Sequence, residues 1–171
     1  MKNTFKSLAL VGLVLLMGAC KDNSKNTVES TPPPAEHQHE ATTIEDTRFK
    51  ATIESNDQMQ FNTKELKVPV GEPIVLTLKH TGKMAKTAMG HNFVLLQPGT
   101  DVKAFAEQAA MAAATEYIPA SEEGSIIAHT KVIGGGESDT IEFTITEAGT
   151  YEFLCSFPGH YAMMRGTLIA E

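Results

Sequence analysis

The strongest constraint on this chain is an alternation of apolar and polar residues. In PIVLTLKH (73–80), Ile74, Leu76, Leu78 and His80 fall on one face of an extended strand, with Thr77 and Lys79 on the other. TIEFTIT (140–146) sets Ile141, Phe143 and Ile145 against Glu142, and TYEFLCS (150–156) sets Tyr151, Phe153 and Cys155 against Glu152. A period of two marks strands with one buried face. Further strands are predicted over 49–54, 64–70, 91–96, 125–133 and 164–170, separated by Gly, Pro and Asn signals. Short strands at this spacing predict an all-β Greek-key sandwich or barrel. DVKAFAEQAAMAAAT (101–115) departs from the pattern. It is Ala-rich, carries Val102, Phe105, Ala106 and Ala109 at helical spacing, and offers Thr100 or Asp101 as an N-cap. One short inserted α-helix is expected there, within a single domain of residues 48–171.

The first 47 residues follow other rules. Lys2 and Lys6 precede a nearly continuous apolar run, Leu8 to Leu16, and LMGAC follows, the plan of a secretory signal peptide over residues 1–19. The run is too short for a bilayer-spanning helix. LMGAC resembles a bacterial lipoprotein cleavage box, with Gly18 and Ala19 in place and Met17 where Leu is more usual. That resemblance implies cleavage before Cys20 and acylation of Cys20. The protein is therefore expected to be exported, periplasmic or cell-surface, and anchored to a membrane by its N-terminal lipid. Residues 20–47 lack apolar periodicity, contain Pro32, Pro33 and Pro34, and read as a disordered tether. EHQHE places His37 and His39 in that tether. A solvated linker is the expected role; weak Cu(II) binding is the alternative, with nothing to preorganise a site. Of 14 basic and 21 acidic side chains, two lysines leave with the signal, so the net charge moves from −7 to −9. This argues against nucleic acid as a partner and for solubility outside the cytoplasm.

With Cys20 acylated, Cys155 is left as the one thiol of an exported domain. It opens CSFPGHYAMM (155–164), which adds His160 five residues on and Met164 nine residues on. Strand parity turns Cys155 inward. Arg165 is the residue least suited to the interior, so parity also turns Met164 inward beside Cys155 and Met163 outward. MGHNF (89–93) supplies His91, which shares parity with Phe93 and Leu95, and Gly90 allows close backbone approach. Each residue alone is read more simply as core packing. Together they form a trigonal His₂Cys set with a weak thioether, which suits copper. Zinc prefers stronger fourth ligands. His80 is expected to be a core histidine and His129 a surface one.

GHN with CSFPGHYAMM, NDQMQFNT (56–63) and IIAHTKVIGGGESD (126–139) resemble the azurins, type 1 blue-copper electron carriers of the cupredoxin family. The resemblance runs from about Phe49 to the C-terminus. It implies one copper ion held by His91, Cys155, His160 and an axial Met164, with the Gly90 carbonyl as a distant fifth group. It also implies that Asn92 ties the two ligand loops together and that Phe157 packs over the site. Met59, Met84, Met89, Phe157, Ala162 and Met163 would surround the edge of His160 as a docking patch. Two features depart from the family pattern: the domain has no cysteine pair and the chain has no Trp. The expected function is a one-electron carrier rather than an enzyme. It would cycle between Cu(I) and Cu(II) as a monomer and exchange electrons with redox proteins such as c-type cytochromes or copper and haem reductases. Copper delivery or storage is the alternative, drawn from the methionines and EHQHE. An oxidoreductase would need a second metal site from His37, His39, His80 and His129, which lie far apart in the chain.

Overall fold

A computed structural model describes residues 46–171. The signal segment, Cys20, and the tether to residue 45 with His37 and His39 lie outside the described residues. The strands are β1 (Phe49–Asn56), β2 (Gln60–Phe61), β3 (Glu65–Val68), β4 (Pro73–His80), β5 (Val94–Leu96), β6 (Ile126–His129), β7 (Ser138–Thr144), β8 (Gly149–Leu154) and β9 (Arg165–Ala170). Two α-helices, α1 (Lys86–Met89) and α2 (Val102–Met111), and two short 3-10 turns, Ala113–Thr115 and Ala120–Ser125, interrupt them among the described residues.

The strands form two sheets, ordered β2-β1-β4-β7 and β3-β9-β8-β5-β6. β1 runs parallel to β4, and β3 parallel to β9; the other pairings are antiparallel. The expected all-β sandwich is what forms. Its parity follows the sequence: Ile74, Leu76, Leu78 and His80 are all buried, as are Phe143, Ile145, Tyr151, Phe153 and Cys155. Ile53, Leu76 and Leu78 of one sheet face Phe93, Leu95, Phe153 and Leu168 of the other in a single core. Phe153 anchors it, with ring centroids 5.2 Å from Phe93 and 5.8 Å, edge-on, from Phe61.

β5 and β8 are covered on their second face as well. Val94, Leu96 and Leu154 point away from the sandwich core and are buried by Phe105, Ala106 and Ala109 of α2. This explains the helical insertion: its apolar stripe covers a sheet face that would otherwise expose large aliphatic side chains. Asp101 caps the helix, its carboxylate accepting from the N–H groups of Lys103 and Ala104 at 2.9 and 3.1 Å. The helix ends earlier than the predicted 115. Beyond Ala109 it buries no residue, Met111 being exposed, and Ala112 leaves helical geometry. Glu116 and Tyr117 follow in left-handed conformations, φ 54° and 63°. The predicted strand 91–96 pairs regularly from Val94, because His91 instead makes an isolated bridge to Ile133. Predicted strand 125–133 likewise stops at His129, after which Lys131 N–H turns to the Asp139 carboxylate. β2 and α1 had no sequence expectation; one has two residues and the other four, too short for a period to register.

Strand direction sorts the two ends of the sandwich. β1 begins opposite Ile74 and ends with Ser55 opposite His80. Asp46, where the described chain starts, is therefore about 23 Å of strand away from the Asn56–His80 end.

Candidate metal centre

At the Asn56–His80 end, the loop before β5 brings His91 and the turn after β8 brings Cys155 and His160. Cys155 and Met164 are fully buried, as is His91, while His160 keeps 4% of its surface exposed. Cys155 lies just past β8, where its N–H donates to the Met164 carbonyl at 2.8 Å. A turn then folds back, Met164 N–H donating to His160 O at 2.8 Å and His160 N–H to Phe157 O at 3.0 Å. Gly159 takes φ 81° within this turn. Two consecutive turn bonds thus return the chain so that one thiol, one imidazole and one thioether belong to a single closed loop.

The side chains converge. The Nδ1 atoms of His91 and His160 stand 3.2 Å apart, and each faces Cys155 Sγ, at 3.9 and 3.7 Å respectively. These three are the described residues whose donor atoms gather within metal-binding reach of one another. His91 Nε2 lies 2.9 Å from the Asn56 carbonyl, an obligate acceptor, so the ring proton sits on Nε2 and the Nδ1 lone pair points into the pocket. Two imidazole lone pairs and a sulfur aimed at one dry point repel each other unless a cation or proton lies among them. That donor set, two nitrogens and a soft sulfur, fits copper.

Burial sets the charge state of the donors. It pushes the Cys155 thiol up to about 12, although the backbone N–H groups of Asn92 and Phe157 donate to the sulfur and favour the thiolate. It also pulls His91 down to about 4, mainly by desolvation, and lowers His160 for the same reason. Both histidines are therefore ready to ligate as neutral rings.

Hydrogen bonds around the donors hold them in place. The Asn92 side chain accepts from Ser156 N–H and donates to Ser156 Oγ, both at 2.8 Å, and Ser156 Oγ donates to the Tyr117 carbonyl at 2.8 Å. Gly90 has ordinary backbone angles but no spare room. A Cβ there would meet Lys86 O at 2.5 Å, Val132 Cγ1 at 2.6 Å and Phe157 Cε2 at 2.9 Å. The Phe157 ring lies over His160 with centroids 4.7 Å apart, and Tyr117 packs edge-on against Phe157.

His80 is buried with its ring 4.5 Å from that of His91, yet it is closed to a metal. Its Nε2 donates to Met89 O at 3.0 Å and its Nδ1 accepts from Gly82 N–H at 3.0 Å, so neither nitrogen is free. His129 is exposed. Of the expected patch, Met84, Ala162 and Met163 are exposed, while Met59, Met89 and Phe157 are half-buried. Met111 is almost fully exposed at the end of α2. Sequence reasoning did not single out the Asn56 carbonyl, Ser156 or Tyr117. Asn56 and Tyr117 act through backbone carbonyls, which no side-chain pattern announces, whereas the Ser directly after Cys155 was open to notice.

Residues 47–171 match the model of a family described as copper binding proteins, plastocyanin/azurin family. Azurin-2 of Alcaligenes xylosoxydans xylosoxydans is 46% identical over 123 residues, covering 70% of this chain and 95% of that protein. Outer membrane protein H.8 of Neisseria gonorrhoeae is 42% identical over 119 residues, covering 68% of this chain and 64% of its own length. Among solved structures, the azurin Az-iso2 of Methylomonas sp. strain J aligns with a TM-score of 0.65 at 36% identity, over 72% of this chain and 98% of that one.

The buried donors predict how the copper-free protein responds to pH. Between about 6.5 and about 4 the unfolded chain binds a proton at His91 that the folded form refuses, so stability falls as pH falls through that window. Between about 9 and about 12 the unfolded Cys155 thiol ionises while the folded one does not, so stability falls again as pH rises. Urea midpoints of copper-free protein should trace both declines. His91→Gln should flatten the acid one and Cys155→Ala the alkaline one. Midpoints unchanged by either substitution would contradict these charge states.

Proposed function

The chain belongs to the plastocyanin/azurin family of copper-binding proteins, and from that premise we propose that it is an exported, lipid-anchored carrier of single electrons. In this reading His91, Cys155 and His160 would hold one copper ion, with the Met164 thioether as a weak axial-type donor and the Gly90 carbonyl as a distant fifth group. The observation that carries it is the convergence of two imidazole nitrogens and one thiol in a dry pocket whose hydrogen bonds are already made. Bound copper supplies a one-electron couple between Cu(I) and Cu(II) in a ligand set that suits both.

The protein's own contribution is to move as little as possible. Cys155 gives up its proton on loading, and the Asn92 and Phe157 N–H groups then donate to the thiolate. The Asn56 carbonyl fixes the His91 ring, and Asn92 locks the His91 loop to the Cys155 turn. Phe157 excludes water from the His160 side. Met59, Met84, Met89, Phe157, Ala162 and Met163 form the surface over which partners approach, because adaptable apolar side chains suit brief contacts with several proteins. Partners are redox proteins such as c-type cytochromes or copper and haem reductases, met by a monomer.

Cys20 carries the lipid, and about 27 linker residues give a reach of roughly 25–30 Å. A relative bearing the name outer membrane protein supports a membrane-attached form. Tethering within that reach raises the effective concentration of membrane partners. Copper delivery is the second reading, favoured by the exposed Met84 and Met163; ready transfer of the metal to an apo-acceptor would favour it over the carrier.

Voltammetry of the copper-loaded protein should give a reversible one-electron wave. Met164→Leu should raise its potential, since a weak donor to Cu(II) is lost, while Met163→Leu leaves it unchanged. A larger shift from Met163→Leu would overturn the axial assignment. Cys20→Ala should move the protein to the soluble fraction with its copper spectrum intact, and a mutant still in the membrane would contradict the lipid anchor.

A further inference from the structure

A cleft of about 480 Å³ opens beside Met163, lined chiefly by Gln60, Asn62, Lys64, Ala162, Met163 and Arg165. It continues past Arg165 into a second hollow of about 350 Å³ that Glu152 also lines. Two cations and one carboxylate therefore line these hollows in an acidic protein. Arg48, Lys50, Lys67, Lys86, Lys103 and Lys131 are each ion-paired. Lys64 and Arg165, like the exposed Lys79 and Lys83, pair with no described residue, Glu152 included.

The fold brings these two cations together by a specific contact. Thr167 N–H donates to Lys64 O at 2.9 Å, laying the β2–β3 connection on β9. A Cβ on Gly166 would stand 2.5 Å from both Lys64 O and the Phe153 ring, so the approach requires glycine. Asn62 adds a directed donor. Its Oδ1 is occupied by Glu54 N–H at 2.9 Å, which leaves its Nδ2 hydrogens to donate elsewhere.

We propose that Lys64 and Arg165 form a carboxylate-binding notch at the edge of the Met163 surface, which takes an acidic side chain from the contact face of a redox-partner protein. A guanidinium donates two parallel hydrogen bonds to a carboxylate, and a lysine adds a point charge beside it. An apolar contact centred on Met163 with a cationic rim gives a partner one orientation rather than many. The notch thereby selects proteins whose redox centre is bordered by acids, against the repulsion of this protein's own net negative charge. The inference rests on the carrier reading above and adds the charge of the partner's face.

The test measures binding without turnover, so it can fail while the carrier reading stands. The probe is a small b-type cytochrome whose haem edge is ringed by carboxylates, titrated at low salt into the oxidised, copper-loaded full chain. A cytochrome with a lysine-ringed haem edge is the counter-probe. The Lys64→Gln/Arg165→Gln variant should bind the acidic cytochrome on the order of tenfold more weakly and lose most of the salt dependence, while binding the lysine-ringed one no less well. Amide shifts in the wild type should concentrate at Asn62–Lys64 and Ala162–Arg165, and the visible copper band serves as the folding control. Equal affinity of variant and wild type for the acidic cytochrome, or no binding by the wild type, would overturn the notch.

Discussion

Everything at the copper end depends on two hydrogen bonds between Asn92 and Ser156. One residue follows His91 and the other follows Cys155, and the two lie 64 positions apart in the chain. Both bonds are 2.8 Å and buried, so opening either leaves polar groups without partners in a dry interior, at a cost of about 1–3 kcal/mol. Ser156 extends the tie to Tyr117, whose left-handed backbone turns its carbonyl toward the hydroxyl. The bridge thus continues the β5–β8 pairing beyond Val94 and Leu154 and joins it to a third segment at Tyr117. Without it, His91 would keep its bridge to Ile133 and Cys155 its bond to Met164, but no side chain would tie the His91 loop to the Cys155 turn.

The same economy governs charge. Both imidazoles are neutral rather than cationic at neutral pH, and the one ring proton of His91 is held on the outer nitrogen by Asn56, away from the metal pocket. Cys155 is the one group that must ionise, and two backbone N–H groups already point at its sulfur. A site whose dipoles are set before the metal arrives has little to rearrange when charge changes. His80 marks the boundary of that design. It stacks on His91, yet both its nitrogens are committed to the backbone, so it supports the ring without joining the donors.

Much of this was legible in the sequence because strand parity is a period-two signal. Ile74 to His80 and Tyr151 to Cys155 declare their buried face directly, and the exposed Arg165 places Met164 inside by the same rule. Recognition of GHN and CSFPGHYAMM went further, since it grouped residues from distant loops that parity alone cannot bring together. What escaped notice was carried by backbone. The Asn56 carbonyl has no side-chain signature, and the end of α2 before residue 115 depended on which sheet residues needed cover. The double burial of β5 and β8 was likewise unseen, because Val94, Leu96 and Leu154 look like outward positions until α2 lies over them.

The central claim is that the Cys155 thiolate and two neutral imidazoles make one blue-copper centre. The most direct measurement is the visible and electron paramagnetic resonance spectrum of the Cu(II)-loaded protein beside its Cys155→Ser variant. The account predicts an intense thiolate-to-copper band in the visible with narrow copper hyperfine splitting, both abolished by the substitution. A weak band with wide splitting, unchanged when Cys155 becomes serine, would mean that copper binds elsewhere and would contradict it.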